Sequence, residues 1–244
     1  MAAARPFDWR RADRRLYLFV TIAFAAVIVI GFGPTYYLKF AFNSPPISSN
    51  LVHLHGMIMS LWVFFFAVQV LLIRSNRHRV HMSLGMIGIA LAALILVVGF
   101  FTAAAAAKYG SPSTPPFFPA LSFMIVPMTD LVMFAGLFSA AIAYRKVPAV
   151  HKRLMLLTAI NFLPPALGRI QWAPIQAAGP LFFFGLPAIL TIALITMDAR
   201  STGKLNRPFL IGGILLIASY PLRLALSGTD AWLSLASWIT GWAA

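Results

Sequence analysis

Seven runs of roughly 20 mostly apolar residues, separated by short breaks, constrain this chain more than any other feature of it. At a rise of 1.5 Å per residue, about 20 helical residues cross a hydrocarbon layer of ~30 Å. The runs fall at roughly 16–38, 51–73, 83–107, 121–144, 153–170, 181–199 and 209–227 of the 244 residues and leave no room for a soluble domain. The breaks carry turn chemistry: Asn43-Ser44-Pro45-Pro46, Ser111 to Pro116, Val147-Pro148, Gly179-Pro180 and Asn206-Arg207-Pro208. Only 10% of residues are charged, against about 25% in an average soluble domain. The fold expected is an all-α polytopic bundle of seven transmembrane helices over 16–228, with a basic tail at 1–15 and an interfacial segment at 229–244.

The basic residues set the expected orientation. Fifteen of the 19 lie in the N-terminal tail (Arg5, Arg10, Arg11, Arg14, Arg15) and in three alternate breaks (Arg74, Arg77, Arg79; Arg145, Lys146, Lys152, Arg153; Arg200, Lys204, Arg207). The other side has Lys39 and Lys108. The positive-inside rule then predicts a cytoplasmic N-terminus, an outer C-terminus and a bacterial-type inner membrane. The first run resembles a signal n-region plus core, but it lacks a small-x-small cleavage site and is expected to stay as an uncleaved helix. A net charge of +14 is therefore a topology signal. A nucleic-acid partner is not expected, because such a binder gathers its basic residues on one soluble face. In the C-terminal segment, Trp232, Leu235, Ile239 and Trp242 share a helical face, suited either to the outer interface or to packing on the bundle.

Ionisable groups inside a bilayer are costly and mark candidate sites. Here they are His55, Asp130, Arg169 and Arg223 in the outer half, with His81 and His151 near the cytoplasmic ends of their helices. At about 100° per residue, His55 shares a face with Met59, Trp62, Phe66 and Gln69, whereas His53 points about 200° away and caps or meets water. His151 and Arg169 are 18 residues apart on one face, interrupted by Pro164-Pro165. His81 shares a face with Gly85 and Gly88, where a flat cofactor or a neighbouring helix can approach the backbone. Asp130, His55, Arg169 and Arg223 are expected to converge, and His81 is expected to face His151. Two neutral imidazoles from different helices form the usual axial pair of a low-spin haem b, and arginine forks suit propionates. The candidate cofactor ligands are thus His55, His81 and His151, with Arg169 and Arg223 as propionate or charge partners and Asp130 and Gln69 as further buried polar groups. His81 and His151 form the first pair, and His55 belongs to a second, outer haem or quinone pocket.

Two blocks carry a resemblance: His55 through Gln69 and Arg79 to His81-Met82-Ser83-Leu84-Gly85, and His151-Lys152-Arg153-Leu154-Met155-Leu156 onward to Arg169. They resemble the histidine-bearing motifs of small bacterial membrane proteins in the haem-copper oxidase maturation factor group and related uncharacterised families, with the blocks in the opposite chain order. The resemblance covers about a third of the chain. It implies a histidine quartet that includes His55, His81 and His151, one or more haems, and a role in electron transport or oxidase assembly beside a respiratory oxidase or other membrane complex.

Other functions compete with haem binding. Met57, Met59, Met82, Met86, Met124, Met128 and Met155 lie near the polar residues in sequence, and thioether with imidazole suits Cu(I), which makes copper handling an alternative. Arg169 and Arg223 with Asp130 suit a small-anion transporter, or equally an ion-pair group that locks helices together. A structural subunit of a respiratory or photosynthetic complex is a further reading. Retinal is not expected, since no Lys lies between Phe209 and Ser227 to form a Schiff base. There is no G-x-S-x-G, no H-E-x-x-H and no Cys, so hydrolytic and thiolate chemistry find no residues, and no catalytic residue is assigned.

Overall fold

A computed structural model describes residues 9–47, 49–112, 114 and 118–242, with side chains from Leu16 onward. The N-terminal tail up to residue 8, Arg5 included, lies outside the described residues. All regular structure among the described residues is helical. Six helical segments are long and apolar enough to cross a membrane: Leu16–Tyr37, Asn50–Arg74, His78–Tyr109, Ala120–Ala143, Pro180–Thr202 and Arg207–Leu226. Each coincides with one of the expected spans. The third helix starts earlier than expected, so that His81 lies inside it.

The fifth expected span is broken. It consists of α6 (Pro148–Asn161) and α7 (Leu163–Leu167), of 14 and 5 residues. Pro164 and Pro165 carry no N–H for the carbonyls of Ile160 and Asn161, so the hydrogen-bond ladder stops at Phe162. At 1.5 Å per residue, α6 alone reaches only about 21 Å. Proline edits other helices by the same means. After α1 (Trp9–Phe32), Pro34 deprives Ile30 of its donor, and the chain slips into a π-turn over Gly33–Tyr37 closed by Leu38 N–H to Gly33 O at 2.7 Å. Pro127 lacks the N–H that Phe123 O would accept, which separates α4 (Ala120–Phe123) from α5 (Ile125–Ala143).

The remaining helices are α2 (Asn50–Arg74), α3 (His78–Tyr109), α8 (Ala173–Ala178), α9 (Pro180–Thr202), α10 (Arg207–Leu226) and α11 (Asp230–Thr240). α2 pairs with α3 as a hairpin and α5 with α6; α1 packs on α2 and α7, and α10 packs on α5, α6 and α9. The broken helix is the centre of the bundle. Leu154, Leu156, Leu157, Ala159, Ile160, Phe162, Leu163, Ala166 and Leu167 are all buried, so α6–α7 is covered on every side, as an element surrounded by neighbours must be. Outer faces are apolar as well: Phe19, Ile22, Phe64, Leu94, Val97, Ile189, Ile211 and Leu215 are exposed, which fits contact with lipid tails. α1 meets α7 through backbone contact, since a Cβ on Gly31 would lie 2.2 Å from Ala166 O.

α11 docks on α3 and α4 through Ala236 and Ile239, which share a small core with Ala103, Ala104 and Met124. Trp232 Nε1 donates to Leu121 O at 2.9 Å. Trp238 and Trp242 stack edge to face on the exposed side. Packing on the bundle and an exposed aromatic face therefore coexist in this helix.

Candidate functional site: a histidine pair and two arginine clusters

Histidines at the basic end. The turns α2–α3, α5–α6 and α9–α10 carry Arg74, Arg77, Arg79, Arg145, Lys146, Arg200 and Lys204, and define one end of the bundle. His81 and His151 are each the fourth residue of their helix there. Their ring centroids are 6.3 Å apart and the rings are nearly perpendicular, at 76°. His151 Nδ1 bonds to the main-chain oxygen of Ala141 in α5 at 2.8 Å. With Nδ1–H held by a carbonyl, the lone pair lies on Nε2, the arrangement usual for a metal-ligating histidine. Beside His81 stands Gln69 of α2, whose main-chain carbonyl bears on the imidazole. His81 Nδ1 and Gln69 Oε1 are both buried and have no hydrogen-bond partner among the described residues. One turn along, Gly85 faces open space, with no atom within 4 Å of a Cβ placed there, whereas Gly88 is sealed by Phe65.

Close to this pair, Arg153 bonds Asp198 of α9 and the carbonyl of Ala149, and the Arg153 side chain is 6% exposed. In the sequence Arg153 counts only as one of the basic residues that set the orientation, and Asp198, an acid at the end of the sixth apolar run, is the signal that could have found its partner.

The four polar residues of the other half do not form one cluster. Asp130 Oδ1 accepts from Arg223 Nη1 at 2.6 Å, and both side chains are buried. Arg223 also donates to Ser219 O, Ser219 Oγ and Val126 O, and Asn161 Nδ2 donates to Asp130 O at 2.9 Å. This group ties α5, α6 and α10 together, which is the helix-locking arrangement. Arg169 sits elsewhere, over the Phe32 ring at 4.5 Å with Nη1 donating to Pro165 O at 2.7 Å. His55 is its electrostatic neighbour. Arg169 lies eight residues beyond Asn161, the residue of α6 that meets Asp130, and on the far side of the break at Phe162. His55, Met59, Trp62, Phe66 and Gln69 do share the inward stripe of α2, with Trp62 only 1% exposed. His53 is exposed and meets Tyr36, whose hydroxyl donates to His53 O at 3.1 Å.

Arg223 lies 16 residues along α10 from the basic end, about 24 Å at 1.5 Å per residue, and is committed to Asp130. It is out of reach of any group held by His81 and His151. Arg169, beyond the break, is also at the far end. Neither arginine is a propionate partner for the histidine pair. Among the described residues no group of three or more His, Asp, Glu or Cys converges as a metal cage, and Met57, Met82 and Met86 point outward. No protein-family model, curated protein or solved structure matches the chain.

Proposed function

We propose that the protein is a haem-binding multi-pass membrane protein of electron transfer or haem handling, in which His81 and His151 would hold the haem. The observation that carries this reading is the spacing of the two rings. Two imidazoles from different helices, with centroids 6.3 Å apart, could together hold one metal ion at the basic end of the bundle. The donor set also fits: His151 is held in a ligating tautomer, His81 has an unmatched buried nitrogen, and Gly85 leaves space beside it. Bound haem would supply one-electron chemistry; the chain supplies ligation, burial and orientation. A reduced-minus-oxidised spectrum of the purified protein tests this. A low-spin bis-histidine signature is expected, lost in both His81→Ala and His151→Ala and kept in His55→Ala. A wild-type protein without a Soret band after haem addition, or both single variants with a full spectrum, overturns it.

The same reading takes α6–α7 as a fifth of seven crossings, with the N-terminus cytoplasmic and the C-terminus outside. The Arg153–Asp198 pair supports it: the start of α6 and the end of α9 meet at the basic end, so the chain between them must travel to the far end before α9 returns. Together with Phe162, α6 and α7 comprise 20 residues, about the number needed to cross the hydrocarbon layer.

A further inference from the structure

Three arginines, Arg74, Arg77 and Arg79, fall in a six-residue stretch at the turn between α2 and α3, and all three are exposed. The turn is tight. Asn76 takes the left-handed conformation, with φ of 58°, and Arg77 N–H donates to Leu72 O at 2.8 Å. Among the described residues, none of the three side chains makes a hydrogen bond or an ion pair. No acid is left to answer them. Of the described acidic side chains, Asp198 is paired with Arg153 and Asp130 with Arg223, while Asp230 begins α11 at the other end of the bundle. Like charges held on one short turn repel one another, so the turn favours an anion from outside the chain.

The helix below the turn says what kind of anion. At 100° per residue, Arg79, Met82, Met86 and Val97 lie within about 60° of one another on α3. All four are exposed, so a cation crowns an outward apolar stripe. α10 repeats the pattern, with exposed Arg207 above exposed Ile211 and Ile214. A soluble polyanion would match the arginines and leave the stripe in water. A phospholipid with an anionic headgroup matches both, since its phosphate fits the guanidinium fork and its acyl chains fit the side chains beneath. Arg79 and Met86 lie about 140–160° round α3 from His81, so this surface is separate from the histidine pair.

We propose that Arg74, Arg77 and Arg79, with the α3 stripe of Met82 and Met86, form a binding surface for an anionic phospholipid of the leaflet that the basic end faces. The arginines hold the phosphate and the methionines the upper acyl chain. The surface goes beyond the haem reading and does not depend on it.

The full-length protein in an uncharged detergent is titrated with phosphatidylglycerol, with zwitterionic phosphatidylcholine and with soluble glycerol 3-phosphate. Bound lipid is read by native mass spectrometry, and the unfolding midpoint is read in parallel. Phosphatidylglycerol is expected to be retained in preference to phosphatidylcholine and to raise the midpoint, with both effects weakening as salt is added. Each arginine near an anionic surface is worth about fivefold in affinity, so Arg77→Gln/Arg79→Gln should bind phosphatidylglycerol about 25-fold more weakly. Lys39→Gln/Lys108→Gln, at the other end, should bind it as the wild type does. Equal retention of the two lipids by the wild-type protein overturns the proposal without recourse to any variant, and so does unchanged binding in a folded Arg77→Gln/Arg79→Gln. A midpoint raised as far by glycerol 3-phosphate shows that the acyl chains are not recognised, and the lipid assignment falls. Displacement of the lipid by an equimolar polyglutamate peptide would assign the patch to an acidic protein instead.

Discussion

Removing one member of the Asp130–Arg223 pair leaves the other as an isolated charge among apolar side chains, an expensive state. Asp130→Leu or Arg223→Leu is expected to cost about 3–5 kcal/mol, read as a lowered unfolding midpoint in detergent. The double variant Asp130→Leu/Arg223→Leu should recover much of that loss, because two matched apolar groups replace two matched charges. A double variant as unstable as the two single losses combined would show that the pair does more than neutralise itself. Space decides the glycines. Gly31→Ala must push α1 from the Ala166 carbonyl and should destabilise, whereas Gly136→Ala, inside α5 with nothing near its Cβ, should gain about 0.5–1 kcal/mol from helix propensity. At this scale the sequence marked Asp130 and Arg223 as buried charges and left open which groups they pair with. His81 and His151 were legible because both begin helices whose polarity was set by the basic residues. Arg169 was misplaced because no helical phase can be carried through Pro164-Pro165, and Arg153 with Asp198 was hidden inside a topology signal.

Among the elements, α6–α7 was readable as an apolar run but not as two pieces, since periodicity is blind to which carbonyls lose their donors. The bend has a packing role: it sets Ala166 against Gly31 and Arg169 over Phe32. Replacing both prolines, Pro164→Ala/Pro165→Ala, restores two backbone donors yet should lower stability, by about 1–3 kcal/mol, since a straightened rod no longer fits α1. An unfolding midpoint at or above wild type would show that α1 tolerates a straight helix. α11 was legible through its aromatic spacing, though its docking face uses Ala236, which an aromatic pattern does not reveal. Trp238 and Trp242 suit the bilayer interface. Their fluorescence should be quenched by lipids brominated near the headgroup, with the effect reduced in Trp238→Phe/Trp242→Phe; buried Trp62 should contribute nothing to it.

For the molecule as a whole, the question is how many times the chain crosses. The protein has no cysteine, so single introduced ones report sidedness cleanly. Asn43→Cys and Ser237→Cys are expected to react with an impermeant reagent from outside, and Ser75→Cys and Ser201→Cys only from the cytoplasm. If α6–α7 entered and left by the same face, Ser201→Cys and Ser237→Cys would exchange sides while Asn43→Cys and Ser75→Cys would not. The Asp130–Arg223 bond also has a consequence in time. Its partners are 93 residues apart, and synthesis at about 5–20 residues per second puts roughly 5–20 s between them. For that interval α5 holds its carboxylate in or beside the membrane with no guanidinium made to meet it, at an insertion cost of about 3 kcal/mol. The span that this ion pair finally locks to α10 therefore depends, for that interval, on the insertion machinery or on a borrowed proton to stay in the bilayer.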